Sequence, residues 1–180
     1  KACGQEKSGS QKEAGSQKWF EKNMDFDQVL TERFADVLEQ AAAAEFYTWR
    51  TSAQGRLAEI LVLDQFPRNI YRNTPAAFAQ DAMALALAQE AVAAGVLVEI
   101  SSMDERNFIL MPYMHSESKL IHQQAEPLFK QYCSEKTYEF ELRHKVIVDR
   151  FGRYPHRNKI LGRASTAEEI EFLGQPNSSF

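Results

Sequence analysis

From Phe26 onward the apolar residues of this chain return every three or four positions. No stretch sustains the every-other-residue alternation, bounded by hairpin turns, that a half-buried strand requires. That periodicity points to helices, and local start signals say where they begin. Phe26, Leu30, Phe34, Val37, Leu38 and Ala41 share one face of a first helix over about 25–44, with Asp25 as its N-cap. Thr51 or Ser52 caps a second helix carrying Leu57, Ile60 and Leu61, expected to stop or kink at Phe66 because Pro67 follows. In Asn73-Thr74-Pro75, Thr74 reads as a cap and Pro75 as the first residue of an alanine-rich third helix over 75–94, ending before Gly95. Ser102 and Glu105 form a capping box at the head of a fourth, 103–113, whose end Pro112 bends. A fifth opens at Ser116 or Ser118 and runs to Cys133, with Pro127 as a kink or break. The sixth, 135–151, places Phe140, Ile147 and Phe151 on one stripe and closes at Gly152, a left-handed C-terminal residue. Ser165-Thr166-Ala167-Glu168 reads as a second capping box, opening a short last helix over 167–173.

The expected fold is therefore all-α. Helices of this length joined by short links suggest antiparallel pairs in a tetratricopeptide-like α-α superhelix. A strict repeat of about 34 residues is not legible, and an irregular helical bundle is the competing architecture. A chain of 180 residues is long enough for one sizeable core, and 19–180 reads as a single helical domain. Residues 1–18, rich in Gly, Ser, Gln and Lys, lack the large apolar side chains that would repay ordering and read as a flexible arm.

Composition narrows the function classes. With 21 basic and 25 acidic side chains the formal charge is −4, so no nucleic-acid partner is expected. No apolar run approaches the roughly 18 residues of a membrane span, so no membrane partner is expected either. The two cysteines, Cys3 and Cys133, have no CxxC spacing; they suggest a reducing, cytoplasmic setting rather than a disulfide scaffold. His115 and Glu117 are too close in sequence to face one ion from a regular helix, and no HExxH spacing occurs. Neither a metal nor a cofactor is expected. Ser116 is adjacent to His115 but in no GxSxG turn, and Cys133 has no activating neighbour, so neither reads as a nucleophile.

Polar residues on apolar faces mark the candidate site. Asp64 follows Leu57, Ile60 and Leu61 at helical offsets, so it points inward, at a helix end whose dipole disfavours an anion. It asks for a cation: Arg68, Arg72 or an arginine of 150–157. His144 lies between Phe140 and Ile147, and His115 continues the face of Phe108 and Met111, so both are expected inward. Asp64, His115 and His144 are the candidate catalytic residues. Such groups also occur simply as satisfied polar residues that lock helices together.

LDQFPRNIYRNTPAAFAQDAMALALA (63–88), MPYMHSES (111–118) and HKVIVDRFGRYPHRNKILGRAST (144–166) together resemble a bacterial family known as domain of unknown function 924. The resemblance implies an all-helical, tetratricopeptide-like fold and no known activity. It marks as signature positions Asp64, Gln65, Pro67, Arg68 and Asn69, then Met114, His115, Ser116 and Glu117, then Arg150 to Arg153, Pro155, His156, Arg157 and Asn158. Asn73 stands where the pattern usually has glycine and Ser118 where it usually has an acid, and residues 1–18 lack the family's usual Phe- and Trp-rich opening helix.

Two functions follow as expectations. The first is binding of a peptide or small anionic ligand by Arg68, Asn69, Arg72, His115, Glu117, Arg153, His156, Arg157 and Asn158, since arginine forks suit carboxylates and phosphates. The second is a small-molecule enzyme in which His115 or His144 is a general base oriented by Asp64. Both require the segments 63–72 and 150–158 to lie near each other and near His115.

Overall fold

The structure is a computed structural model that describes residues 23–179. The segment read as a flexible arm lies outside the described residues. Within them the chain is all helix and turn, with no strand. Helices α1 (Met24–Ala42), α2 (Ala53–Ile70), α3 (Asp81–Ala93), α4 (Val96–Glu99), α5 (Met103–Met114), α6 (Lys119–Tyr132), α7 (Glu135–Phe151) and α8 (Ala167–Leu173) follow in order. Short 3-10 turns occupy Tyr47–Thr51, Pro75–Phe78 and Pro155–Arg157. Among the described residues no helix is long and apolar enough to cross a membrane.

Helix α2 is the centre of the packing, in contact with α1, α3 and α5. It is buried nearly all round, so its apolar residues divide between two clusters. Ile60 joins Ala88, Ala91, Ile109, Leu110, Ala125 and Phe129, which bring α3, α5 and α6 together. Val62, Leu63 and Phe66 join Leu30, Leu38, Ala41 and Ala84 beneath α1. The alanines of α3 leave no side-chain bulk between it and α2: Ala84, Ala88 and Ala91 are fully buried. A smaller cluster gathers Ile147 and Val148 of α7 with Tyr154.

Several local expectations change in register. Asn23, not Asp25, caps α1, its side chain accepting from the Phe26 amide, and Asp25 lies in the first turn. Helix α2 does not stop at Phe66 but runs through Pro67 to Ile70. A proline here removes one ladder N–H and costs about 3 kcal/mol in an exposed helix. Burial of Phe66, Pro67 and Asn69 offsets this, and Arg68 Nη1 donates to the Asp64 carbonyl in the same turn. Asp64 is thus within α2 rather than at its end, where the dipole penalty is smaller. Pro112 and Pro127 likewise lie inside continuous helices.

The expected third helix is broken into a 3-10 turn and α3; Thr74 and Pro75 hold the N-cap and first positions of that turn, but the Thr74 hydroxyl donates to the Tyr71 carbonyl rather than accepting an amide. Ser102 accepts from the Glu105 amide as expected. The last capping box is one residue later than read, with Thr166 and Glu169 as partners, and Glu168 pairs with Arg150 instead. Phe140 leaves the core stripe of α7: it is 38% exposed, with Arg143 over its ring.

One glycine is sterically required. Gly55 sits in the first turn of α2, where an added Cβ would lie 2.0 Å from the Trp49 carbonyl oxygen. Gly to Ala in a helix normally stabilises by up to about 1 kcal/mol. Here Gly55→Ala is expected to lower the urea midpoint; a raised midpoint would show that the Tyr47–Thr51 turn gives way freely.

Candidate functional site

Three segments distant in sequence meet at the end of α5. Asp64 of α2 is almost fully buried, and His115, the residue that ends α5, places Nδ1 2.7 Å from Asp64 Oδ1. Arg68 Nη1 stands 3.4 Å from the same oxygen, and Gln65 donates to Oδ2. Burial alone would raise the Asp64 carboxyl, but His115, Arg68 and the donated hydrogen bonds hold it at about 2. It is therefore a carboxylate and an acceptor, so His115 carries its proton on Nδ1. Burial, reinforced by Arg68, lowers the His115 pKa below its ordinary 6.5 despite Asp64, which leaves the ring neutral at physiological pH. Nε2 then carries a lone pair, and no partner among the described residues takes it.

The turn after His115 is clamped from behind. His122 is fully buried, with Nδ1 2.7 Å from Glu141 Oε1 and Nε2 2.9 Å from the Ser116 carbonyl. The Tyr154 hydroxyl donates to the Met114 carbonyl. Glu117 accepts the Tyr154 amide at 2.8 Å and both terminal nitrogens of Arg163, at 2.6 and 2.9 Å. The backbone that presents His115 is thereby fixed to α6, α7 and the 154–163 turn.

His115 lines a cleft of about 450 Å³, together with Phe78, Asp81, Leu85, Pro112, Glu117, Arg157 and Leu161. Asp81, in the first turn of α3, joins the two arginine segments: its Oδ1 is 2.8 Å from Arg68 Nη1 and its Oδ2 3.3 Å from Arg157 Nη1. The guanidinium of Arg157 is buried over the rings of Phe78 and Tyr154, 4.6 Å from each centroid. A second hollow, about 310 Å³ between α7 and α8, is lined by Leu142, Val146, Ile147 and Phe172 and contains no acid or imidazole. Among the described residues no group of three or more His, Cys, Asp or Glu is arranged to hold a metal ion.

The two arginine-bearing segments therefore do meet beside His115, but only some of the candidate residues face the cleft. His115, Glu117 and Arg157 line it, while Asp64 reaches it only through His115 and Arg68 only through Asp81. Asn69 and Arg72 turn away and bind Asp27 of α1, Arg72 through both Nε and Nη2. Arg153 is engaged by Glu169, and Asn158 bonds Ser165, Glu169 and Arg163. His144 donates Nδ1–H to the Phe140 carbonyl at 2.7 Å and meets the edge of Tyr154, outside the Asp64–His115 pair. His156 packs on Tyr154. Burial lowers His144 to about 3 and, with Arg157, His156 to about 4. The Cys133 thiol is pushed up by burial to about 12.

Residues 5–177 match the model of a family described as a bacterial protein of unknown function, DUF924. The chain belongs to DUF924. A solved structure described as a protein of unknown function, ATU0120, from Agrobacterium tumefaciens, is 40% identical. The likeness covers 90% of this chain and 91% of that one, with a TM-score of 0.85. No curated protein is significantly similar to the chain. The DUF924 match begins within the segment read as an arm, so it spans nearly the whole chain.

Sequence reasoning missed Asp81, Phe78 and Tyr154. Asp81 and Phe78 lay inside what read as one continuous third helix, and the signal for Tyr154 was its place directly before Pro155.

Acid titration tests the buried imidazoles. A histidine whose folded pKa is depressed stabilises the fold above its unfolded value of about 6.5 and loses that contribution as pH falls towards the folded value. His144 alone should remove about 3 kcal/mol by pH ~4. Asp64, held at about 2 against an ordinary 3.8, adds a further loss only below about pH 4. Urea unfolding should therefore show wild type weakening steadily from near pH 7 to 4, and His144→Phe weakening less. Equal slopes would mean His144 is protonated in the folded state.

Proposed function

We propose that this protein is a small-molecule enzyme in which His115 is a general acid–base, held in tautomer and orientation by Asp64, on a substrate bound in the adjoining cleft. The observation that carries it is the 2.7 Å contact between Asp64 and His115 Nδ1, with Nε2 left without a partner among the described residues and His115 lining the cleft. A base needs a lone pair within reach of substrate and a fixed ring, and this pair supplies both. Asp64 is a positioning residue: it touches the imidazole and not the cleft. The depressed His115 pKa keeps the basic form populated at neutral pH, and activity should fall as pH drops through that value.

A cleft of about 450 Å³ has the size of a small-molecule site rather than of an extended peptide groove. That favours the acid–base reading over peptide binding while keeping the expectation of a small anionic ligand. The packing of sequential neighbours, α1 on α2, α2 on α3, α5 on α6 and α6 on α7, supports a tetratricopeptide-like stack as the scaffold.

The test is consumption of metabolites from a bacterial extract, followed by mass spectrometry, with His115→Gln as the blank. Wild type should deplete at least one compound roughly 100-fold or more faster than the variant, the usual contribution of a positioned base. Identical profiles from the two proteins would contradict a chemical role for His115.

A further inference from the structure

We propose that the cleft binds a small monocarboxylate with a short apolar body, its carboxylate on the N–H edge of Arg157 and its body against Phe78, Leu85, Pro112 and Leu161.

Arg157 carries five N–H donors, and among the described residues only Nη1 has an acceptor, Asp81 at 3.3 Å. That distance is long for a charge-assisted bond, which is ordinarily about 2.7–2.9 Å. Among the described residues its Nε is buried without a partner, and so is Nη2 of the neighbouring Arg68. A guanidinium so far removed from water normally satisfies its donors. Arg157 instead holds its charge between two aromatic rings on the wall of a cleft. Burial and the neighbouring Arg68 both work against that charge, so an arriving anion gains more here than at an exposed arginine.

The class of anion follows from the rest of the wall. A guanidinium donates only in its own plane, and two parallel N–H bonds match the two oxygens of a carboxylate. Asp81 and Glu117 also line the cleft. Two carboxylates there repel a doubly charged phosphate more strongly than a single carboxylate. Apart from His115 and Ser116 the remaining wall is apolar, so affinity grows with hydrocarbon placed on it, by roughly four-fold per buried methylene. A free inorganic anion gains none of that. This inference rests on reading the cleft as a small-molecule site with His115 as its base, and it adds which class of substrate that base would serve.

The experiment is thermal-shift titration of the full chain with hexanoate, hexanamide and inorganic phosphate. Hexanoate is expected to raise Tm with dose, while the uncharged amide and the phosphate do so much less. Arg157→Gln should weaken hexanoate by roughly 10- to 100-fold, the loss of hydrogen bonds to a charged group. Because that variant could fold poorly, Asp81→Asn serves as a second arm. It removes a competing anion from Arg157, and hexanoate should bind it more tightly than wild type.

The proposal is overturned if hexanoate does not stabilise wild type, if hexanamide or phosphate stabilises it equally, or if neither substitution changes the hexanoate affinity. His115→Gln separates the two readings. Hexanoate binding retained in that variant, without His115-dependent metabolite consumption, keeps the carboxylate site and rejects the base. The reverse pattern rejects the carboxylate site alone.

Discussion

A carboxylate at 1% exposure inside α2 has to be matched by side-chain donors, and much of the arrangement around the cleft follows from that demand on Asp64. His115 answers from the end of α5 and Arg68 from the next turn of α2. Arg68 then needs a second anion, which Asp81 supplies from the start of α3, and Asp81 in turn reaches Arg157. One buried charge thereby ties α2, α3, α5 and the turn after α7 into a continuous polar chain. The apolar clusters on either side set the distances, but they are non-directional and do not choose which end of α5 meets which face of α2.

The same chain explains why a functional reading is concentrated at His115. Of the four histidines of the sequence, two are closed off by protein partners. His122 has acceptors at both nitrogens, and His144 gives Nδ1–H to a backbone carbonyl beneath the edge of Tyr154. His115 combines a carboxylate behind Nδ1 with a cleft in front. Its neighbours Ser116 and Glu117 belong to the clamp: one lends its carbonyl to His122, the other its carboxylate to Arg163 and the Tyr154 amide.

Much of this was legible in the chain because it is local. Helical periodicity, capping residues and the inward position of Asp64 are encoded within a few turns, and the family resemblance pointed to the three segments that meet. What was not legible depended on partners elsewhere. Nothing near Arg72 reveals that Asp27 holds it, and nothing near Arg153 ranks Glu169 over a ligand. Both read as ligand-binding arginines, and each is paired with a carboxylate of the fold. Pro67 misled for the complementary reason: its local preference to end a helix is outweighed by burial of the residues around it. Asp81 drew no reading at all, since its role appears only once Arg157 arrives from far along the chain.

The central claim is the state of one imidazole: neutral, protonated on Nδ1 towards Asp64, with a bare Nε2. Nitrogen-detected NMR of the histidine side chains through a pH titration reads this directly, with His115→Gln identifying the resonance. The structure predicts the Nδ1–H tautomer at neutral pH and a midpoint below the ordinary 6.5. A midpoint above that value, or a proton found on Nε2 at neutral pH, would contradict it.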